Sequence, residues 1–380
     1  FASGKLDLPS VMFTASHNPA SYNGMKFSRA GAKGIGLDSG LGAIRDRAQQ
    51  YFDSSIEELP IIGVIEEINL TRDYVEYLRK LVDLSNTRRL KIVVDAANGM
   101  GGFTVPLVLE DAAGLPALNL EIVPLYFELD GTFPNHAANP LQVENLRDLQ
   151  QAVVEHGADL GLAFDGDADR IGAIDGEGRV VWGDQLLSIL VEPVLADLPG
   201  STVIADVKTS QALFDRVAAL GGAPFMWKTG HSHMKAKMKE VGAPIGGEMT
   251  GHIFFKHRWY GFDDAIYAAI RLIEAVSELG GSLTALRSAM PAMINTPELR
   301  FQVDESRKFP VVDEVLARLE AEGADVNRTD GARVNTADGW WLLRASNTQD
   351  VLVARAEAKD EAGLARLMAQ IDAQLAASGL

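Results

Sequence analysis

The sequence predicts an α/β protein of four consecutive units, and three observations carry that prediction. Short apolar, β-branched runs stop abruptly at polar or glycine-rich loops, at residues 11–14, 91–94, 160–164, 202–205 and 340–343. Between them lie stretches with apolar residues at helical spacing, at residues 70–83, 144–155, 184–198, 210–220 and 263–279. Such alternation implies parallel or mixed sheets flanked by helices, with ligands collecting at the carboxyl ends of the strands. Composition breaks then divide the chain. An acidic stretch at 57–69 precedes a helix and a fresh strand near Leu90, a glycine-rich segment spans 175–183, and Met290-Pro291 through Pro297 introduces a last unit. The expected units are 1–70, 71–178, 179–292 and 293–380. The last contains strands near 299–303 and 340–343 and a terminal helix over 361–377.

Composition bounds the function. The 380 residues carry 35 Lys+Arg against 52 Asp+Glu, a formal net charge of −17. Long-range repulsion from that charge argues against nucleic acid or an anionic membrane as partner. There is no cysteine, which removes disulfides, thiolate metal sites and thiol nucleophiles and fits a cytoplasmic location. No apolar run approaches the roughly 18 residues of a membrane span. The chain opens Phe1-Ala2-Ser3 with neither an initiator Met nor the plan of a signal peptide. It is expected to begin partway through its first unit.

Four loops carry chemistry. Thr14-Ala15-Ser16-His17-Asn18-Pro19 follows the first strand directly and exposes Ser16 on a turn. A lone serine hydroxyl is a weak nucleophile and needs a base, a metal or an already transferred group. His17 adjoins it, and the turn signal Tyr22-Asn23-Gly24 brings Lys26 back toward it. The second loop, Asp165-Gly166-Asp167-Ala168-Asp169-Arg170, offers three carboxylates at alternate positions of an extended segment. Hard oxygen ligands of this kind suit Mg²⁺. The calcium-loop pattern fails, because Arg170 and Gly176 stand where that motif requires Gly and Glu. Arg170 is placed to meet a phosphate.

The third cluster joins Lys208 and His231, each beyond a strand, to Gly246-Gly247-Glu248-Met249-Thr250-Gly251-His252. Its glycines let backbone approach a ligand, Glu248 and Thr250 suit sugar hydroxyls, and His252 can move protons near neutral pH. The fourth loop, Arg344-Ala345-Ser346-Asn347-Thr348-Gln349, combines a guanidinium, hydroxyls and turn N–H groups in a phosphate cradle.

These four loops, in this order, resemble the α-D-phosphohexomutase family, whose members include phosphoglucomutase and phosphomannomutase. The resemblance implies four α/β domains around a central cleft, each donating one loop, with the first domain N-terminally incomplete and the last α+β. It also implies that Ser16 carries the phosphoryl group and, with Asp165, Asp167 and Asp169, holds Mg²⁺. Glu248 and Thr250 match the sugar-hydroxyl readers, and Arg344, Ser346, Asn347 and Thr348 match the binder of the non-reacting phosphate. Lys26 and His252 match positions implicated in proton transfer, and Arg170, Lys208 and His231 match other active-site positions. His17 completes the catalytic candidates.

The implied reaction moves phosphate between O1 and O6 of a hexose phosphate, with a hexose 1,6-bisphosphate as intermediate and activator. Three other readings compete: an aminosugar mutase of the same family, a serine- and metal-dependent phosphatase, and a non-catalytic sugar-phosphate binder. Met249 is similar to the mannose/glucose branch. Thr250 stands where the family commonly has Ser, and the loop at residues 134–139 departs from the family's version and carries no assigned role.

Overall fold

The computed structural model describes residues 1–54, 63–85, 87–346 and 349–380. Residues 57–62 of the expected linker lie outside the described residues. Strands β1 (Ser10–Phe13), β2 (Met25–Arg29) and β3 (Lys33–Gly34) form a small antiparallel sheet. Its first strand is apolar, yet Val11, Met12 and Phe13 are all exposed. The β1–β2 hairpin pairs Met12 with Lys26, so Lys26 sits on a strand, not in a loop.

The second sheet runs β5–β4–β6–β7–β8, from β4 (Leu90–Asp95), β5 (Leu120–Leu125), β6 (Leu160–Phe164), β7 (Ile171–Asp175) and β8 (Val180–Val181). The strands β5, β4 and β6 are parallel, and β7 and β8 return antiparallel. Every residue of β6 and β7 is buried. That explains why β6 and residues 171–174 of β7 are apolar without alternation: helices cover both faces. The third sheet repeats the plan as β10–β9–β11–β12, from β9 (Thr202–Asp206), β10 (Ala223–Trp227), β11 (Ile245–Gly247) and β12 (Ile253–Phe255).

One helix joins these two units. Ala265–Leu279 is buried at every position from Ala265 to Val276, and the two charged residues in that span, Arg271 and Glu274, are buried as an ion pair at 2.9 Å. Asp264 caps its first turn, accepting from the Tyr267 N–H at 2.9 Å, a contribution of about 1 kcal/mol. Its side chains merge with those of both sheets into one core running from Val75 to Leu283.

The fourth unit is antiparallel, ordered β13–β18–β17–β16–β15 with β14 also on β18. The strands are β13 (Ile294–Asn295), β14 (Leu299–Gln302), β15 (Asp325–Asn327), β16 (Ala332–Asn335), β17 (Gly339–Ala345) and β18 (Val351–Ala358). Helices Glu305–Ala321 and Glu361–Ala377 close over the face that carries Trp341 and Leu343. The strand period of two turns Trp340 and Leu342 the other way, where they pack on Val207 of the third unit. Arg333 and Arg355 are both registered opposite Leu342 and share that face. Arg333 donates to the carbonyls of Val207 and Thr209 at 2.7 and 2.8 Å, and Arg355 to that of Lys208 at 2.5 Å. Two buried guanidiniums thus clamp the loop that presents Lys208.

Candidate active site

Strand ends from all four units meet along one line of contacts. Ser16 leaves β1 with φ of 55°, a left-handed conformation that costs about 1–3 kcal/mol in a non-glycine residue and gathers at functional sites. Its N–H donates to Thr14 Oγ1 at 2.9 Å, and that hydroxyl donates to Asp167 Oδ2 at 2.7 Å. Ser16 Oγ itself donates to Asp165 Oδ2 at 3.1 Å and lies 3.3 Å from His17 Nδ1. The first unit is therefore fastened to the second through the serine turn.

Gly166 makes that approach possible. A Cβ there would stand 2.3 Å from the Ser16 carbonyl oxygen, below any tolerable separation. We expect Gly166→Ala to push the two loops apart and lower kcat by about 10²-fold, since a displacement near 1 Å suffices for that. The readout is kcat with melting temperature as control. A variant that folds normally and retains full kcat would show that this close approach is dispensable.

The aspartate loop is a compact turn, not the extended segment its spacing suggests. Ala168 takes φ of 57°, its N–H reaches the Asp165 carbonyl, and Asp165 Oδ1 accepts from the N–H groups of Asp169 and Arg170. These backbone bonds curl the loop, and the Asp165, Asp167 and Asp169 carboxylates still converge, with one oxygen of each within 4.8 Å of the others. Burial, then Asp169 and Asp167, push the Asp165 carboxyl up to about 8. Lys26 Nζ bridges Asp167 and Asp169 at 2.8 and 2.5 Å. Burial works against its charge, but the two carboxylates outweigh burial and hold the ammonium well above its usual range. Asp167 Oδ1 and Asp169 Oδ1 remain buried without hydrogen-bond partners. Orphaned anionic oxygens beside a carboxylate pushed upward by its neighbours fit a divalent cation.

Arg170 faces Asp165 at 3.9 Å, and its Nε donates to His252 Nε2 at 2.9 Å. This links the second unit to the third, reinforced by the bridge pairing of Arg170 with His252. One glycine of the third cluster serves this junction rather than a ligand. A Cβ on Gly251, at φ of 87°, would stand 2.6 Å from the Ile171 carbonyl oxygen, so protein backbone fills the space the sequence suggested for a ligand. The ring of His231, at the start of helix His231–Val241, lies 6.1 Å from that of His252. Burial holds both His17 and His231 down to about 4, hence neutral. His252 goes the other way: burial opposes its charge, but Asp169 and Asp263 raise it.

Glu248 accepts from the Gly230 N–H at 2.7 Å and from Thr250 Oγ1 at 2.9 Å, so the two expected hydroxyl readers are preset against each other. Arg344, at the end of β17, donates through Nε to Asp330 Oδ2 at 2.9 Å, and Asp330 also takes the Thr229 N–H at 3.1 Å. Ser346 is buried and accepts from the Gln349 N–H at 3.2 Å. Asn347 and Thr348 lie outside the described residues.

Lys208 is 4% exposed and donates to Glu298 Oε2 at 3.0 Å. Burial opposes the charge of Glu298, but Lys208 and Arg300 win and hold it down to about 2. A carboxyl depressed in the fold adds stability above its ordinary value near 4.3 and loses it as pH falls toward 2. We expect Glu298→Gln to cost about 3 kcal/mol at neutral pH, by stranding a buried ammonium, and to flatten the acid limb of the stability profile. Denaturant titrations between about pH 7 and 2 check this. An acid limb unchanged in the variant would contradict it.

Sequence reasoning missed Asp263, Asp330, Glu298, Arg333 and Arg355. The last two were detectable as charged residues inside otherwise apolar strands, which must find buried partners. Glu298 and the two aspartates gave no local signal.

A serine hydroxyl beside three converging carboxylates, tied through Arg170 and His252 to the third unit and through Thr229 and Asp330 onward to the fourth, defines the class: a multidomain α/β protein whose loops converge on one polar site. The phosphoglucomutase/phosphomannomutase models match in series, domain I at residues 1–51, domain II at 72–178, domain III at 182–293 and the C-terminal domain at 298–374. The chain belongs to the phosphoglucomutase/phosphomannomutase family. It is 40% identical to a phosphomannomutase/phosphoglucomutase of Pseudomonas aeruginosa, over 97% of this chain and 76% of that protein. It is 39% identical to a phosphoglucomutase of Neisseria meningitidis, over 96% of this chain and 76% of that protein. A crystal structure of a family member from Burkholderia thailandensis superposes with a TM-score of 0.86 at 38% identity, covering 98% of this chain and 76% of that one.

Proposed function

We propose that the protein is a phosphomannomutase/phosphoglucomutase that moves phosphate reversibly between O1 and O6 of a hexose phosphate through phosphorylated Ser16. The observation that carries the reading is the juncture at Ser16: its Oγ lies 3.1 Å from Asp165, within a cluster of three carboxylates. Asp165, Asp167 and Asp169, with the phosphorylated serine, would hold Mg²⁺. Bound there, the ion neutralises charge on phosphoryl oxygens, which is the main help proteins give this chemistry.

The chain's own groups supply the rest. Arg170 steadies the transferring phosphoryl group, and Glu248 and Thr250 hold sugar hydroxyls. Arg344, Ser346, Asn347, Thr348 and Lys208 take the phosphate that does not react. His252 accepts the proton of the attacking hydroxyl. Lys26, kept charged by its carboxylates, serves as the acid. His17, beside Ser16, and His231, beside His252, both neutral, serve as hydrogen-bonding groups. A hexose 1,6-bisphosphate is then the intermediate that turns end for end, and also the activator that loads Ser16.

An aminosugar mutase is not favoured. The Aspergillus fumigatus N-acetylphosphoglucosamine mutase shares the fold with a TM-score of 0.65 but only 15% identity. No helix among the described residues is long and apolar enough to cross a membrane, and the cysteine-free composition supports a cytoplasmic location.

The test is turnover with Mg²⁺ and a trace of glucose 1,6-bisphosphate. Glucose 6-phosphate should form from glucose 1-phosphate, and kcat/KM for the mannose and glucose 1-phosphates should exceed that for N-acetylglucosamine 1-phosphate. Free phosphate without glucose 6-phosphate would mark a phosphatase, and binding without turnover a sugar-phosphate binder.

A further inference from the structure

We infer that Asp263, anchored by Lys235, is a positioning residue that fixes the tautomer and orientation of His252; this rests on the proton-transfer role of His252 proposed above. His252 Nδ1 lies 3.0 Å from Asp263 Oδ2. The approach is off the line of a well-formed hydrogen bond, and neither atom has a hydrogen-bond partner elsewhere. Such bonds are commonly loose before substrate arrives. The other ring nitrogen, Nε2, accepts from Arg170 Nε at 2.9 Å, so in the neutral ring the proton belongs on Nδ1, facing Asp263.

Asp263 is suited to hold it. Its side chain is only 6% exposed, and its Oδ1 takes the Lys235 ammonium at 2.9 Å. It sits in the bridge pairing of Asp263 with Phe254 and directly before the capping residue of the long buried helix. Backbone and side chain are therefore both fixed. Asp169 also approaches Nδ1, at 3.5 Å, but it belongs to the carboxylate cluster and bonds Lys26. Asp263 bonds none of the three clustered aspartates or Lys26, although one of its oxygens lies within 4.8 Å of Asp169 and His252 ligand atoms. When Arg170 turns to a phosphoryl oxygen, Nε2 is left as a bare lone pair, able to take the proton of the attacking sugar hydroxyl. Asp263 then faces the Nδ1–H of the imidazolium. A carboxylate behind a proton-accepting imidazole acts in this way in serine hydrolases, where its amide replacement installs the wrong tautomer.

The test uses the full chain labelled with ¹⁵N-histidine, with the His252 signal assigned from a His252→Gln variant. At alkaline pH, where the ring is neutral, wild-type His252 should show the Nδ1–H tautomer. Asp263→Asn should move it toward Nε2–H and lower kcat by about 10²-fold, with KM changed less than about threefold. Lys235→Gln should give a smaller loss of kcat in the same direction. A wild-type His252 found as Nε2–H overturns the inference even if Asp263→Asn does not fold. So does an Asp263→Asn protein with an unaltered tautomer, or one in which KM rises and kcat does not fall. Wild-type turnover of glucose 1-phosphate, measured alongside, separates failure of this inference from failure of the mutase reading.

Discussion

Ser16→Ala is expected to lower kcat for glucose 1-phosphate by about 10⁴-fold or more, the scale seen when a covalent nucleophile is removed. The substitution deletes Oγ, whose contacts are Asp165 and His17, and spares the N–H that bonds Thr14. Its melting temperature should stay near that of wild type. The affinity for glucose 6-phosphate should hold within about threefold, because the residues proposed to read the sugar and the distal phosphate lie on other units. Coupled turnover and calorimetric binding check the two halves separately. Turnover within tenfold of wild type would place the phosphoryl carrier elsewhere.

Asp165→Asn is expected to split stability from activity. With its pKa raised to about 8, Asp165 works against the fold once pH passes the ordinary carboxyl range near 4, since the unfolded chain ionises freely and the folded one does not. Asparagine keeps an oxygen for the N–H groups of Asp169 and Arg170 and removes the conflict with Asp167 and Asp169. The metal-free variant should be more stable than wild type by about 1–2 kcal/mol near neutral pH. It should also bind Mg²⁺ far more weakly and lose about 10³-fold in kcat, several kcal/mol of charge stabilisation. Thermal melts with and without Mg²⁺, beside calorimetric titration, give both signs. A variant less stable than wild type in chelator, or one that binds Mg²⁺ normally, would contradict the cation-cradle reading of the cluster.

The sequence made the fold legible because its strands are unusually plain. The run at 160–164 is apolar on both faces, and the structure buries all of it. The helix predicted over 361–377 is observed as Glu361–Ala377. Other elements resisted. Leu41–Asp53 was not anticipated although Leu41, Ile44, Ala48 and Phe52 fall at helical spacing, and none of its described residues is buried. β8 and β13 are two residues each, too short for any periodicity.

The site divides in the same way. Ser16, the aspartates, Arg170, His252, Glu248, Thr250 and Arg344 follow directly on strands or close hairpins, so local sequence exposed them. Asp263, Asp330 and Glu298 were invisible because each acts through tertiary contacts, among them those with His252, Arg344 and Lys208 respectively, that no local pattern marks. The first two pairings are set by how elements fold back within one unit, and only the third by how two units sit on one another. The net charge of −17 gave no warning that Lys26, Arg170, Lys208 and Arg344 would each be held in a fixed pairing with a neighbouring side chain.

The most direct test of the central claim is peptide-mapped mass spectrometry of the full chain after exposure to glucose 1,6-bisphosphate and Mg²⁺. One phosphoryl group should appear on Ser16, be absent from Ser16→Ala, and be discharged when excess glucose 1-phosphate is added. A chain that turns over substrate with Ser16 unmodified, or that carries its phosphate on another residue, would contradict the account.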